Sequence, residues 1–262
     1  MLDGLAPARR RFVLALALLV VVGLVGGGVA WWLSRDEAVR PVAQSSLGPV
    51  LLVPGYGGGT AGLKVLAQAL RDAGRDATVV PLAGDGFGDL DAQAQVLGDA
   101  VSGVLDRTGA SSVDVVGYSA GGVIARLWVR DHGGGSLARR VVNLGSPHHG
   151  TDLAGLAGDL APDQCPEACL QLQPDSDLLR ALNAGDETPA GPLWASMWTT
   201  DDQTVVPPTS AALEGAVDFS LQSVCPGLTV SHGDLPESPV VAAAVIAELG
   251  TDDPAVPGSD IC

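Results

Sequence analysis

The stretch Ser112–Arg130, SVDVVGYSAGGVIARLWVR, decides how the rest of the chain is read. Val113 to Val116 is an apolar run of strand length, and Gly117-Tyr118-Ser119-Ala120-Gly121-Gly122 follows as a tight turn. Val123, Ile124, Leu127 and Trp128 then recur at helical spacing. A strand, a sharp turn and a helix form the setting in which a G-x-S-x-G sequence presents its serine as a nucleophile. Small residues on both sides of Ser119 let strand and helix pass closely. The hydroxyl then stands at a helix N-terminus, where free N–H groups favour a developing negative charge. Such a serine needs a base, an acid to orient the base, and a second oxyanion donor.

Working outward, Val50 to Val53 is another short apolar strand, and it runs into Pro54-Gly55-Tyr56-Gly57-Gly58-Gly59. The helix expected over Ala61 to Ala73 carries Leu63, Leu66, Ala67 and Leu70 on one face. The glycine-rich turn lacks the Lys-Ser/Thr of a phosphate loop and the acidic residue of a dinucleotide site. It reads instead as an oxyanion loop, with the N–H of Tyr56 pointing into the hole. Val141 to Leu144 is a further strand, opening onto Gly145-Ser146-Pro147-His148-His149-Gly150-Thr151. Of the adjacent histidines, one is expected to line the cleft and the other to hydrogen-bond locally. His132, at the end of the serine helix, reads as a favourable C-terminal residue. Residues 152–193 read as irregular, apart from a short helix near Asp177 to Asn183, and as a wall or partial cover of the cleft.

Six strands are expected, starting near residues 50, 78, 113, 141, 195 and 228, with helices between them. That alternation specifies an α/β domain with a mostly parallel sheet and helices on both faces. Thr200-Asp201-Asp202 leaves the strand at Ala195 to Thr199, and His232 leaves the strand expected at Leu228 to Ser231. Nucleophile, acid, histidine is the chain order of a hydrolase of this architecture. Of the 4 histidines, His232 alone follows both Ser119 and the two aspartates. All three groups emerge at the C-terminal ends of strands, where open α/β sheets collect their functional groups.

The segments VLLVPGYGG, VDVVGYSAGGVIAR, VVNLGSPHHGTDLA, TTDDQTVVPP and TVSHGDL together resemble a bacterial triacylglycerol lipase/esterase of the α/β-hydrolase superfamily, in its small actinobacterial branch. They span about residues 49–250. The resemblance implies an α/β-hydrolase fold with a small lid or none, and cleavage of carboxylic esters through an acyl-enzyme without metal or cofactor. It implies Ser119 as nucleophile, His232 as base, and Tyr56 and Ala120 as backbone oxyanion donors. In such lipases the catalytic aspartate lies three residues before a valine, which favours Asp202, three before Val205, over Asp201. Many of these lipases have His-Gly where this chain has Pro54-Gly55. A cell-envelope acyltransferase, thioesterase or amidase would carry the same triad, and a non-catalytic tethered binding protein would keep only the fold.

The remaining features concern compartment and partners. Arg9-Arg10-Arg11 precedes Phe12 to Leu33, an uncharged run closed by Trp31 and Trp32. It is long enough to span a bilayer, which takes about 20 residues, and the arginines should stay cytoplasmic. Three segments are therefore expected: a signal anchor at 1–34, a linker at 35–48 and a catalytic domain at 49–262. Cleavage near Ala30 would give a secreted form instead. Both place the domain outside the cytoplasmic membrane. The 4 cysteines all follow the anchor and fit an oxidising compartment, with Cys165–Cys169 and Cys225–Cys262 the preferred pairing. Removing residues 1–40, with five basic and three acidic residues, takes the formal charge from −16 to −18. So acidic a domain argues against nucleic acid as a partner. The expected partners are a small ester or lipid and, through the N-terminal segment, a membrane, with the chain a monomer.

Overall fold

The structure, a computed structural model, describes residue 16, residues 19–23 and residues 39–262. The expected anchor and the first part of the linker fall almost entirely outside the described residues. Among these, no helix is long and apolar enough to cross a membrane. Contacts divide the chain into Met1–Val39 and Arg40–Cys262. In the first unit, the described residues 16 and 19–23 are helical and exposed. The second unit includes residues 40–48, which the sequence reading assigned to the linker. The side-chain amide of Gln44 donates to the Arg139 carbonyl at 3.2 Å, and the Gly48 carbonyl accepts from Arg75 at 2.9 Å.

Among the described residues six strands form one sheet: β1 (Val50–Val53), β2 (Ala77–Val79), β3 (Val113–Tyr118), β4 (Ala138–Leu144), β5 (Leu193–Trp198) and β6 (Val217–Ser220). Their order is β2-β1-β3-β4-β5-β6, and every pairing is parallel. The central strands are apolar on both faces because helices cover both, as a parallel sheet requires. Leu51, Val53 and Val115 point to the side packed by α2 (Leu90–Thr108) and α3 (Ala120–Asp131). Val50, Leu52, Val116 and Val142 point to the other side. There they meet Leu63, Leu66 and Leu70 of α1 (Ala61–Asp72) and Val241, Ala244 and Val245 of a C-terminal helix, Pro239–Glu248.

Two expectations about elements are corrected. The strand expected at Leu228 to Ser231 does not form. Its backbone groups pair with side chains instead: Val230 O accepts from the Thr199 hydroxyl at 2.7 Å, Val230 N donates to Asp201 Oδ2 at 3.4 Å, and Leu228 O accepts from Gln222 Nε2 at 3.2 Å. The sixth strand is β6, in the register Ala195↔Val217 to Trp198↔Ser220. Residues 152–193 are more regular than expected. They hold α4 (Asp152–Leu160), α5 (Glu167–Gln171) and α6 (Asp177–Leu182). Thr151 and Ser176 cap α4 and α6 with their side chains. Disulfides join Cys165 to Cys169 and Cys225 to Cys262.

At the N-terminal end of the sheet, Asp114 of β3 accepts from Arg75 at 2.5 Å and from Arg139 at 2.6 Å. Arg139 also donates to the carbonyls of Leu249 and Gly250, both at 2.7 Å, and Arg140 donates to those of Glu248 and Asp252. Arginines at the carbonyl end of a helix are electrostatically favourable, and here they fasten the last helix to β4.

Candidate active site

Ser119 sits between β3 and α3 with φ 53° and ψ −129°, the one non-glycine residue with positive φ among the described residues. A serine held there costs on the order of 1–3 kcal/mol, which the packing around it must offset. The two flanking glycines show how tight the turn is. A Cβ on Gly121 would stand 2.2 Å from the Val53 carbonyl oxygen, and one on Gly117 would stand 2.5 Å from the Cα of Gly122. β1, β3 and α3 therefore meet at distances only glycine permits. The Ser119 N–H donates to the Leu144 carbonyl at 2.9 Å, tying the turn to β4.

The structure brings Ser119, His232 and Asp202 into one chain of hydrogen bonds. Ser119 Oγ lies 3.0 Å from His232 Nε2, and His232 Nδ1 lies 2.7 Å from Asp202 Oδ2. All three side chains are buried. An ionised carboxylate only accepts, so Nδ1 carries the proton and donates. In the neutral ring Nε2 is then bare and accepts from the serine hydroxyl. The other oxygen of Asp202 accepts from the N–H groups of Thr204 and Val205, both at 2.8 Å. Asp201 points elsewhere: its carboxylate meets Gln222 and the N–H of Val230, each at 3.4 Å.

The loop after β1 carries the other expected donor. The N–H groups of Tyr56 and Ala120 donate to no group among the described residues. That loop is clamped by the turn after β2. Gly57 N donates to the Gly86 carbonyl at 3.2 Å, and a Cβ on Gly86 would stand 2.5 Å from Gly58 N. The ring of Tyr56 packs edge-on against Phe87, centroids 4.7 Å apart. Tyr56, Ser119, Ala154, Ala157, Leu172 and Val205 are among the lining of a cavity of about 240 Å³. Half of its wall, Leu153, Ala154, Ala157, Gln164, Cys169 and Leu172, comes from residues 152–193, the segment expected to wall the cleft. Among the described residues no group of three or more His, Cys, Asp or Glu is placed to hold a metal ion.

The other histidines stand apart. His132 closes α3 and pairs with Asp91 at 2.7 Å. His149 meets Glu187 at 2.8 Å and the Ser210 carbonyl at 3.2 Å, as expected of a locally bonded histidine. His148 does not line the cleft. It is fully buried, burial and then Arg126 push its pKa well below the ordinary value, and it is neutral.

Two contributors escaped the sequence reading. The Tyr118 hydroxyl donates to the His232 carbonyl at 3.0 Å, and burial, with Asp202 next, pushes its pKa up to about 12. At neutral pH it is a protonated donor. Nothing in the order of residues pairs positions 118 and 232. Thr151 Oγ1 donates to the Thr204 carbonyl at 2.7 Å and accepts from Val206 N at 3.0 Å, bracing the turn that holds Asp202. A threonine before Asp152 is a helix-cap signal, and that signal was there to be read.

Comparison with known proteins agrees with this architecture. Residues 95–216 match the model of the lipase (class 2) family. Aspergillus fumigatus lipase B superposes with a TM-score of 0.68 at 19% identity, over 86% of this chain and 60% of that one. Bacillus licheniformis lipase BlEst2 in its propeptide form gives 0.65 at 18%, over 85% and 54%. Its mature form gives 0.61 at 18%, over 82% and 96%. The chain thus spans 60% of the fungal lipase and 54% of the propeptide form. At these identities the likeness establishes the fold.

Proposed function

We propose that this member of the lipase- and esterase-type α/β-hydrolases cleaves carboxylic esters, with Ser119 as nucleophile, His232 as general base and acid, and Asp202 as the residue that orients it. The observation that carries the reading is the unbroken bond chain from Ser119 Oγ through His232 to Asp202, ending in a neutral cavity. Ser119 Oγ attacks the ester carbonyl carbon as its proton passes to His232 Nε2. The N–H groups of Tyr56 and Ala120 receive the resulting oxyanion, and losing one such donor typically costs about 10²–10³ in rate. Collapse of the tetrahedral intermediate expels the alcohol, which takes the proton back from His232. Water, deprotonated by the same ring, then frees the acid and restores the serine. Asp202 stays ionised throughout and stabilises the imidazolium.

Placement outside the cytoplasmic membrane belongs to the same proposal. It rests on the two disulfides and on the arginine-flanked apolar run at 12–33. In this reading residues 1–34 are the anchor, and a linker beginning at residue 35 leads into the catalytic domain, with which residues 40–48 pack. The test of the activity is Ser119→Ala assayed on p-nitrophenyl butyrate. We expect turnover to fall by at least about 10⁴-fold with an unchanged circular dichroism spectrum; retained activity would remove Ser119 from the mechanism.

A further inference from the structure

The loop that carries Tyr56 has little to hold itself with. Four of the six residues Pro54 to Gly59 are glycine, and glycine gives up more backbone freedom on folding than any other residue. Tyr56 supplies the one large side chain, and it is exposed. Phe87, from the turn after β2, covers the loop: its ring meets Tyr56 edge-on at 4.7 Å, and a Cβ on Gly57 would stand 3.0 Å from it. The same turn supplies the Gly86 carbonyl that accepts from Gly57 N. This turn is in its own right irregular and is held at both ends. Ala83 exchanges two bonds with the side chain of Gln93, at 2.8 and 3.1 Å. The far end rests on α5. The Ala168 N–H donates to the Phe87 carbonyl at 3.1 Å. The Gln171 side chain accepts from Leu90 N at 2.8 Å and donates to Asp89 Oδ1 at 2.7 Å. α5 has 5 residues and no side-chain cap at its N-terminus, so it is far too short to persist alone. The buried disulfide Cys165–Cys169 pins it across that N-terminus.

Resting on the reading of Tyr56 as an oxyanion donor, we propose that Phe87 is the positioning residue for that donor and that the Cys165–Cys169 disulfide holds Phe87 in place. The line runs from the disulfide through the Ala168 N–H to Phe87, and from Phe87 and Gly86 to Tyr56 and Gly57. Ring and N–H of Tyr56 share one Cα, so a ring that loses its support carries the N–H with it. An oxyanion donor acts only within about 2.7–3.1 Å of the charge it receives. The two disulfides then do different work. Cys225 and Cys262 are 37 positions apart, Cys165 and Cys169 only 4. A longer closed loop restricts the unfolded chain more, so the first pair acts on stability and the second on turnover.

The test is kcat and KM on p-nitrophenyl acetate, with the inhibition constant of phenylboronic acid, for the unaltered chain, Phe87→Leu and two double variants, Cys165→Ser/Cys169→Ser and Cys225→Ser/Cys262→Ser. Acetate is the ester of choice because Cys169 lines the cavity beside Ser119, and the smallest acyl group reaches that wall least. A boronic acid forms a tetrahedral adduct on a reactive serine, so its inhibition constant reads the donors and is indifferent to the folded fraction. Misplacing a group by an ångström costs up to about 10²-fold. Cys165→Ser/Cys169→Ser and Phe87→Leu should each lower kcat at least about tenfold and weaken the boronic acid by a similar factor. KM should stay within about threefold. Cys225→Ser/Cys262→Ser should lower Tm more than the other pair does and keep kcat within about twofold. An unchanged kcat in Phe87→Leu or in Cys165→Ser/Cys169→Ser, or a fall in kcat without weaker boronic acid binding, would overturn the assignment. Should Cys165→Ser/Cys169→Ser fail to fold, Phe87→Leu decides alone. Ser119→Ala separates the two readings: hydrolysis surviving in it refutes the nucleophile, whereas serine-dependent hydrolysis indifferent to Phe87→Leu refutes only the positioning.

Discussion

The two ends of β3 carry buried polar clusters that do opposite things. At the N-terminal end, Asp114 is held by Arg75 and Arg139, and the arginines also donate to the carbonyls of Gln44, Gly48, Leu249 and Gly250. Five residues along, at the C-terminal end, Ser119 starts a chain that runs through His232 to Asp202. Here two backbone donors, Tyr56 and Ala120, have no partner among the described residues. The first cluster is closed by ion pairs and fastens the chain's end to the sheet. The second is satisfied at its acid end and open at its serine end, which is what a developing negative charge requires. One strand thus separates a group that stabilises from the group proposed to react, and each should respond to a different kind of substitution.

The largest effect should come at the open end. Asp202→Asn leaves the size of the side chain but lets its amide donate to Nδ1, which favours the wrong tautomer of His232. We expect turnover on p-nitrophenyl butyrate to fall about 10³–10⁴-fold with an unchanged Tm. Asp201→Asn should cost less than about threefold, since its carboxylate touches only Gln222 and the N–H of Val230. If the two variants behaved alike, the orientation assigned to Asp202 would be wrong.

The closed end should answer in stability. Asp114→Ala strands the fully buried Arg139 without its carboxylate, and breaking a buried pair from one side costs about 3–5 kcal/mol. Denaturant unfolding should read that loss, while turnover per folded molecule stays within about twofold. A fall in turnover of the folded fraction would mean the two ends are coupled.

The smallest effect is a pH dependence beside the same cluster. Burial raises the pKa of Glu248 to about 7, with Arg140 opposing the shift. A carboxyl with a raised folded pKa contributes stability that is full below its unfolded pKa and is lost as pH rises through about 7. Glu248→Gln lacks this titration. Its Tm relative to the parent should therefore rise by a few degrees between pH 5 and pH 8. A difference that is constant over that range would show that Glu248 does not change its charge in the fold.

The sequence made the core of the fold legible because strand and helix announce themselves by period. The runs at Val50, Val113 and Val141 are apolar apart from Asp114 and Asn143, as doubly covered parallel strands largely are. β6 hid because Val-Asp-Phe-Ser is an edge strand with a half-buried aspartate, whose pKa burial raises to about 6. Leu228 to Ser231 misled for the converse reason. Its residues favour strands, but Thr199, Asp201 and Gln222 take its backbone groups. The serine, the acid and the histidine were readable as an order along the chain. The choice between neighbouring aspartates was a matter of side-chain direction, which order does not carry. The brace from Tyr118 to the carbonyl of His232 joins residues far apart in sequence, and no local pattern encodes it.

The central claim is that the residue in the strained turn is the one that reacts. Treating the protein with a fluorophosphonate and mapping the modified peptide by mass spectrometry tests this most directly. The account predicts a single adduct, on Ser119, absent from Ser119→Ala. An adduct on any other residue, or none on the folded protein, would contradict it.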